Sequence, residues 1–352
     1  TFPLKCGAKV IGYFEICNIF AKKISLMEKI IGMGNALVDV LIKLKDDSTL
    51  TELGLSKGSM TLIDDNKLNA INELLKEVKP ARVAGGSAGN MIRALVELGG
   101  QGGFIGKIAD DEFGRYFNDS MTSRGVETYM LFSNTQPSGV ASTFISTDGE
   151  RTFATHLGAA AEQKADELKQ EMFEGYHYLF IEGYLVQDHE LITQAMHLAK
   201  EAGLIVCLDM ASYNIVSAEK AFFTQLINKY VDVVFANEQE AEAFTDLKAS
   251  EAINEIAKLC SIAIVKERKE GTHIRKGTEY IHVNAPDVEE VIDTTGAGDF
   301  FAAGFLYGLS MGQSLERCAQ IGTLLAGEVI QVVGTELEAT TWEKLKLLIQ
   351  NS

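Results

Sequence analysis

The chain contains 352 residues, of which 46% are hydrophobic and 23% are charged, a composition that is ordinary for globular proteins and excludes a disordered or fibrous chain. Its 32 basic and 49 acidic residues leave a formal net charge of −17, which disfavours nucleic acids and anionic membranes as partners. Five widely spaced cysteines without a C-x-x-C pair favour a reducing, cytoplasmic compartment over a disulfide framework or a zinc site.

Residues 1–26 differ from the rest of the chain. Glu15 interrupts their longest apolar patch and no small-residue cleavage site follows, so a signal peptide is disfavoured. A strand-like stretch begins directly after Met27. We therefore expect residues 1–26 to be an extension outside the fold and residues 27–352 to form one domain. No apolar run approaches the ~18 residues that indicate a membrane span.

The next part of the chain is rich in strand-like sequence. The stretches at about 38–50, 100–108 and 128–157 have this character, and Asp148-Gly149 between two alternating runs indicates a hairpin turn. These stretches show no crossover helices of their own. We predict that they form a small sheet at the edge of the main one, where it acts as a lid.

Beyond residue 160, short apolar runs alternate with helix-like segments at 188–202, 215–229, 238–245 and 250–260. Nearly unbroken apolar runs are typical of strands that are buried on both faces. The alternation predicts the α/β class, with a doubly wound, mostly parallel sheet. A ligand is then expected where the strand ends meet the lid.

The most specific motif is Asp293-Thr-Thr-Gly-Ala-Gly-Asp299, which precedes an apolar helix. Small residues at Gly296, Ala297 and Gly298 let successive backbone amides point at one spot, and the helix dipole adds to this anion hole. Asp299 beside it suits a base that accepts the proton of an attacking hydroxyl while the amides stabilise a transferring phosphoryl group. The alternative is an ordinary helix start, because Asp is favoured in a first turn.

Two polar side chains follow the first strand. Asn35 and Asp39 offer an amide and a carboxylate that could take the neighbouring hydroxyls of a ribose-like ring. Leu37 stands where a dinucleotide-binding fingerprint requires glycine, which disfavours that motif. As a pattern alone, these residues are equally typical of a turn after a strand.

A third motif begins the next helix with the sequence GGSAGN. Its glycines let the backbone approach a ligand, and its last residue lies one turn into the helix, where it can face the same site. The same pattern is also that of a helix start capped by a serine. The motif comprises Gly85, Gly86, Ser87, Ala88, Gly89 and Asn90.

In their order along the chain, the motifs resemble the signatures of the ribokinase-like (PfkB) family of sugar and nucleoside kinases. The resemblance extends over about residues 29–349. The resemblance implies the ribokinase-like fold, with Asp299 as the base and Gly296–Gly298 as the anion hole. It also implies that the acceptor is held by the polar residues and glycines of the two earlier motifs: Asn35, Leu37, Asp39, Gly85, Gly86, Ser87 and Asn90.

The nucleotide side of the site is also implied by the resemblance. Asn237 and Glu240 resemble the family's N-x-x-E motif, which implies Mg²⁺ bound largely through water near the phosphates of ATP. The alternative for this pair is an ordinary helix start. The family usually has a glycine-rich G-x-x-G sequence at this point, and this chain has VKERKEG instead. The ATP contacts implied by the family are Asn237, Lys266, Gly271, Thr295 and Gly298.

Two weaker expectations concern ions. Asp293 and the Val333-Gly334 turn could border a monovalent-cation site, such as one for K⁺, as in some members of the family. Arg151 closes the lid hairpin and could approach phosphates, although a solvated arginine in a turn is an equally good interpretation.

The acceptor is expected to be a purine nucleoside, adenosine first. The motifs resemble adenosine kinases more than ribokinase, where a lysine commonly follows the paired glycines; Ser87 stands there instead. Leu37, with Leu62 and Phe144 from the lid, would offer an apolar surface to a base. The alternatives are a kinase of ribose or fructose, a non-catalytic ligand-sensing relative and a dinucleotide-dependent oxidoreductase. A monomer and a homodimer are equally consistent with the sequence.

Overall fold

The computed structural model describes residues 27–75, 80–148 and 150–351, so the predicted extension of residues 1–26 lies outside the described part. The larger of two sheets has nine strands. They are β1 Ile30–Met33, β5 Gly102–Ala109, β6 Glu127–Ser133, β9 Tyr178–Glu182, β10 Ile205–Asp209, β11 Val233–Asn237, β12 Ile262–Glu267, β13 Gly271–Lys276 and β14 Glu279–Val283. Their order is β14-β13-β12-β11-β10-β9-β1-β5-β6, and all of them run in one direction except β13, which is antiparallel to its neighbours β12 and β14.

The smaller sheet has five strands in the order β3-β8-β7-β2-β4. Their bounds are β2 Leu37–Lys43, β3 Met60–Leu62, β4 Ala81–Gly85, β7 Gly139–Ile145 and β8 Arg151–His156. The predicted hairpin is confirmed, because Ile145 pairs with Arg151 across the antiparallel strands β7 and β8. Gly149 of its turn lies outside the described residues.

Eleven α-helices occur in the described ranges. They are α1 Ser48–Glu52, α2 Asp65–Leu75, α3 Ser87–Glu97, α4 Glu112–Thr122, α5 His189–Glu201, α6 Tyr213–Tyr230, α7 Glu238–Thr245, α8 Ala249–Ile256, α9 Ala297–Ser310, α10 Leu315–Val329 and α11 Ala339–Asn351. The helices predicted beyond residue 160 correspond to α5–α8. None of these helices is long and apolar enough to cross a lipid bilayer.

Helices cover both faces of the main sheet, which explains its unbroken apolar strands. In β9, Phe180 packs into the core that is shared with α3, α9 and α10. Its neighbours Leu179 and Ile181 point the other way, into the core that is shared with α5–α8. The doubly wound, mostly parallel sheet that the sequence predicts is therefore confirmed.

The predicted composition of the lid is partly wrong. The stretch 100–108 forms β5, which lies in the main sheet between β1 and β6, and the start of the stretch 128–157 forms β6 of the same sheet. All eight residues of β5 are buried, as expected for a central strand with both faces covered. The parallel strands β5 and β6 are connected through α4, a crossover helix that the sequence analysis missed.

The lid instead includes β3 and β4, which were not predicted as lid strands. The short β3 pairs with β8, and β4 pairs with β2. The β-rich segments at 37–43 and 139–156 lie in the lid as expected. The small sheet thus lies beside the carboxyl ends of the main strands, because β2 follows β1 after three residues and β4 leads directly into α3.

Candidate active site

The polar residues collect at one edge of the main sheet, which we call the polar edge. It comprises the carboxyl ends of β1, β9, β10, β11 and β12 together with the first turns of α3 and α9. In a parallel sheet these ends meet at one crevice, which is the usual position of a ligand. The lid strands β2 and β8 approach the same crevice.

Asp299 lies in the first turn of α9 and joins two of the predicted motifs. Ser87 Oγ donates to its Oδ1 over 2.6 Å, and Asn90 Nδ2 donates to its Oδ2 over 2.9 Å. Burial raises the pKa of Asp299 to about 6, although both hydrogen bonds oppose this shift. The carboxylate is therefore mostly ionised at neutral pH while its proton affinity is higher than that of an ordinary aspartate.

The amide of Asn90 is oriented by a residue that the sequence analysis missed. Arg93 is buried one turn further along α3, and its Nη2 donates to Asn90 Oδ1 over 2.7 Å and to Thr335 Oγ1 over 3.1 Å. Because a guanidinium can only donate, it holds Asn90 Oδ1 toward itself and leaves Nδ2 for Asp299. An arginine on an otherwise apolar helix, three residues after Asn90, was the available signal.

Two glycines are required by the backbone at the polar edge. Gly86 precedes α3 with a φ of 78°, and a Cβ there would lie 2.1 Å from the carbonyl oxygen of Asn35. Gly296 precedes α9 with a φ of 76°, where a Cβ would lie 2.5 Å from Thr335 Cγ2. Left-handed backbone at these points directs the chain into each helix, so that both helix N-termini open toward the crevice.

Asn35 is held by Glu182, a second residue that the sequence analysis missed. Glu182 ends β9 and is 1% exposed; its Oε1 accepts hydrogen bonds from Asn35 N (2.9 Å) and Asn35 Nδ2 (2.6 Å). Its Oε2 accepts a hydrogen bond from Ala88 N over 3.0 Å. Burial raises the pKa of Glu182 to about 7. A carboxylate that ends an otherwise apolar strand was the signal for it.

Asp39 lies on β2, on the lid side of the crevice. Burial raises its pKa to about 7, against the opposing charge of Arg93, and Asp299 contributes in the same direction as burial. No residue in the described ranges hydrogen-bonds to its carboxylate, whose atoms would lie within 2.7 Å of a Cβ at Gly85. Asp39 and Asp299 are therefore close enough for their charges to interact, and the Asp39 carboxylate retains its hydrogen-bonding capacity for a ligand.

Lys266, near the end of β12, brings a positive charge to the predicted anion hole. Its Nζ lies 3.4 Å from Asp209 Oδ2 and would lie 3.3 Å from a Cβ at Gly298. Burial lowers the pKa of Lys266, but the carboxylates of Asp209, Glu240 and Asp299 outweigh this and hold it above its ordinary value. The predicted ATP contact Lys266 is thus brought beside Gly298.

Asn237 and Glu240 form a reciprocal pair at the start of α7. Asn237 Oδ1 accepts from Glu240 N over 2.9 Å, and the Glu240 carboxylate accepts from Asn237 N (2.8 Å) and Asn237 Nδ2 (2.7 Å). This is the geometry of a capping box. Burial and the nearby Asp209 raise the pKa of Glu240. No group of three or more His, Cys, Asp or Glu side chains converges on a metal position in the part of the chain that the structure describes.

The remaining predicted nucleotide contacts are placed as follows. Thr295 lies in the loop before α9, where its backbone N donates to Asp293 Oδ1 over 3.0 Å. Gly271 begins β13, and a Cβ there would lie 2.1 Å from the carbonyl oxygen of Val283. The need for glycine at position 271 therefore has a local packing reason, independent of any nucleotide.

Arg151 does not lie in a solvated turn. It begins β8, and its Nη1 lies 2.8 Å from Asp293 Oδ2, with only 9% of the arginine side chain and 3% of the aspartate side chain exposed. The same Oδ2 accepts a hydrogen bond from Gly334 N over 2.7 Å. The residues at this point do not fit a free monovalent cation, because the charge of the Asp293 carboxylate is already paired with the guanidinium and both of its oxygens accept hydrogen bonds.

The register of the lid decides which apolar side chains face the crevice. Leu62, Thr155, Ala141 and Asp39 are directly paired across β3, β8, β7 and β2, so they share one face, which we call the site face. Phe144 is wrongly predicted to lie there, because it is paired with Ile42 and Thr152 on the opposite face.

Phe144 is 1% exposed and packs in the core between the lid and the helices. Phe153, which the sequence analysis missed, takes the place predicted for it. It pairs with Thr143, whose partner on β2 is Leu41, and so lies half-buried on the site face. Leu37 is half-buried on this face as well, and Leu62 is 52% exposed.

Most of the chain is similar to proteins of known family. Residues 56–342 match the family described as pfkB family carbohydrate kinase. The chain is 30% identical over 324 residues to adenosine kinase of Saccharomyces cerevisiae, which covers 86% of this chain and 94% of the yeast protein.

Two solved structures are similar over most of the fold. A probable sugar kinase from Rhizobium etli CFN 42 has a TM-score of 0.82 at 33% identity and covers 92% of this chain and 98% of its own. The adenosine kinase from Sinorhizobium meliloti has a TM-score of 0.80 at 32% identity, with 90% and 99% of the two chains covered.

Proposed function

Because the chain belongs to the family of pfkB carbohydrate kinases and is thus a phosphotransferase that acts on a hydroxyl group, we propose that it transfers the γ-phosphoryl group of ATP to the primary hydroxyl of a purine nucleoside, adenosine first. The family predicted from the motifs is confirmed. The observation that carries the proposal is Asp299, held between Ser87 and Asn90 at the mouth of the Gly296–Gly298 turn.

In the proposed reaction, the acceptor hydroxyl replaces one of the hydrogen-bond partners of Asp299. Its oxygen gives its proton to the Asp299 carboxylate while it forms a bond to the γ-phosphorus, and the bond from that phosphorus to the bridging oxygen breaks to leave ADP. The amides at the start of α9 and the ammonium of Lys266 receive the negative charge that spreads over the transferring group. Closure of the lid would exclude water as a competing acceptor.

Mg²⁺ fits the acidic residues beside this position. Asp209 and Glu240 are both buried, and Lys266 Nζ lies 3.4 Å from Asp209 Oδ2, so a divalent cation with its waters would relieve the remaining repulsion between the two carboxylates. Glu240 and Asn237 are the residues proposed to organise it. When bound, the ion would neutralise charge on the phosphates of ATP.

The acceptor would be held from both sides of the crevice. Asn35, whose amide is oriented by Glu182, and Asp39, whose carboxylate is free, are proposed to take the two neighbouring ribose hydroxyls. Gly85, Gly86 and Ser87 would let the backbone of α3 approach the sugar. These roles follow the family motifs, and the hydrogen bonds that join Asn35 to Glu182 and Asp299 to Ser87 and Asn90 support them.

A nucleoside is favoured over a free sugar by the site face of the lid. Leu37, Phe153 and Leu62 present apolar surface beyond Asp39, and a purine base would bury this surface at ~25 cal/mol per Å². A free pentose has no apolar base to cover these side chains, so their surface would remain wet. Adenosine kinases among the similar proteins support the same choice.

The test is a comparison of kcat/KM for adenosine, inosine, ribose and fructose at the same ATP and Mg²⁺, with coupled detection of ADP. We expect adenosine to give the highest value. Ribose and fructose represent the function of the similar probable sugar kinase. If either sugar exceeds both nucleosides, the argument from the apolar site face is wrong. The Asp299→Asn variant serves as the control for contaminating kinases.

A further inference from the structure

One ion pair connects the lid to the loop that precedes the anion hole. Arg151 comes from the first position of β8, and Asp293 comes from the segment just before α9, 142 residues later in the chain. Both side chains are more than nine-tenths buried. Removal of one partner of such a pair leaves an uncompensated charge in the interior, which is strongly destabilising.

Asp293 organises the loop around the anion hole. Its Oδ1 accepts from Thr295 N over 3.0 Å, directly before Gly296, and its Oδ2 accepts from Gly334 N over 2.7 Å. Its own backbone N donates to the carbonyl of Ile330, at the end of α10. The carboxylate therefore ties the start of the anion hole to the turn at Gly334, and its position affects where the amides of Gly296–Gly298 point.

We propose that Arg151 is a positioning residue for phosphoryl transfer, which supplies from the lid the positive charge that Asp293 needs, in place of a free monovalent cation. With the guanidinium in place, the loop is held and the anion hole is formed. The site then requires no potassium or other monovalent cation. For its kinetic part, this inference rests on the proposed kinase function.

The geometry supports this assignment over a phosphate contact. Both the Arg151 guanidinium and the Gly334 amide are directed at Asp293 Oδ2, and the charge of a second carboxylate, that of Asp39, also acts on Arg151. Arg151 is thus engaged by a buried carboxylate of the protein itself. A residue that mainly binds phosphate would be expected to affect ATP binding and to leave the nucleotide-free protein unchanged.

The experiment compares the parent chain with Arg151→Ala and Arg151→Lys. Nucleotide-free melting temperature, kcat and the KM for ATP are measured in chloride salts of potassium, sodium and tetramethylammonium at equal ionic strength. The parent is expected to give the same values in all three salts. Arg151→Ala should melt several degrees lower and lose about 10²-fold in kcat, with little change in the KM for ATP.

Potassium should raise the melting temperature of Arg151→Ala above its value in tetramethylammonium, because the carboxylate is then open to a cation. Arg151→Lys should recover most of the loss. Lys57→Ala is the matched control: Lys57 also belongs to the lid region and contacts a carboxylate, that of Asp148 at 2.6 Å, but on the surface. It should retain the parent's kcat and salt response.

Four results would overturn the proposal: activation of the parent by potassium, an Arg151→Ala variant with the parent's kcat and melting temperature, a change confined to the KM for ATP, or no response of Arg151→Ala to potassium. If Arg151→Ala does not fold, the double variant Arg151→Ala/Asp293→Asn decides. The double variant removes both charges, so it should fold and should melt at a higher temperature than the single variant. If its melting temperature is not higher, the unpaired charge of Asp293 is not the cause of the lost stability, and the proposal is wrong.

The melting measurements need no substrate, so they remain decisive even if the parent phosphorylates neither nucleosides nor sugars. A lack of activity on both nucleosides and sugars would contradict the proposed function, but it would not contradict the role of Arg151 in holding Asp293.

Discussion

The polar edge of the main sheet and the site face of the lid contribute different kinds of residue to one crevice. At the polar edge, Asp299, Asn90 and Asn35 are each held by hydrogen bonds to side chains from distant parts of the chain. On the site face, Leu37, Phe153 and Leu62 are apolar and partly exposed. The edge is therefore preorganised for a chemical step, whereas the face offers surface that a ligand would cover.

This difference separates the expected consequences of mutation. Changes at the polar edge should alter the rate for every acceptor, because they alter groups that act on the reacting atoms. Changes on the site face should alter the choice among acceptors, because apolar contact with the base differs between nucleosides and sugars.

Asp299→Asn should lower kcat by roughly 10²–10⁴, the range for loss of a positioned base. Adenosine binding and the melting temperature should remain near those of the parent, since the side chain keeps its size. Initial rates by coupled ADP detection and adenosine titration by calorimetry provide the measurements. A variant within a few-fold of the parent rate would remove Asp299 from the role of base.

Two phenylalanines on opposite faces of the lid provide a matched pair. Phe144→Ala should lower the free energy of unfolding by about 3–5 kcal/mol, because it opens a cavity among fully buried side chains. Phe153→Ala should cost less stability but should lower kcat/KM for adenosine roughly 10-fold, with little change for ribose. Denaturant unfolding and kinetics with both acceptors are the measurements.

The comparison of the two variants is sharper than either alone. If Phe144→Ala changes the ratio of adenosine to ribose activity and Phe153→Ala does not, then the assignment of the site face is wrong. Equal effects of both variants on that ratio would show that the lid acts only through its stability.

The raised pKa values predict an effect of pH on stability. The pKa of Glu182 is raised from 4.5 to about 7 in the folded protein, so its contribution to stability is full below pH 4.5 and is lost as the pH rises through about 7. Nucleotide-free melting should therefore decline less between pH 5 and 7 in Glu182→Gln than in the parent, because glutamine does not titrate. Identical slopes would contradict the raised pKa.

The ionisation of Asp299 should also determine how the rate depends on pH. The pKa of Asp299 is raised to about 6, and the base must be ionised to accept a proton, so kcat should rise as the pH increases through about 6. A rate that is flat from pH 5 to 8 would exclude the ionisation of Asp299 from the chemical step.

The smallest effect is expected from removal of residues 1–26. A chain that begins at Met27 should have the melting temperature and activity of the full chain, because the first strand begins at Ile30. The role of this extension stays a prediction. A melting temperature several degrees lower after truncation would show that the segment packs on the domain.

The parts of the site that the sequence predicted are local in origin. The GGSAGN and TTGAGD stretches form helix starts whose conformation depends on a few adjacent residues. Gly86 and Gly296 precede the two helices with positive φ angles, which glycine adopts without steric strain. Buried parallel strands were equally visible as unbroken apolar runs. The motifs also led us to expect Asn90 and Asp299 at one site, whereas the place of Lys266 there was implied only by the resemblance to the family.

The tertiary structure alone decided the partners across the fold. Glu182 accepts a hydrogen bond from Asn35, which is 147 residues away in the sequence, and Arg151 forms an ion pair with Asp293. No local sequence pattern predicts either contact. It also decided that residues 102–109 belong to the main sheet and that Phe153 faces the crevice while Phe144 does not. The reason is that side chains alternate along a strand, so the register with neighbouring strands, and not the identity of the residue, determines which face each one occupies.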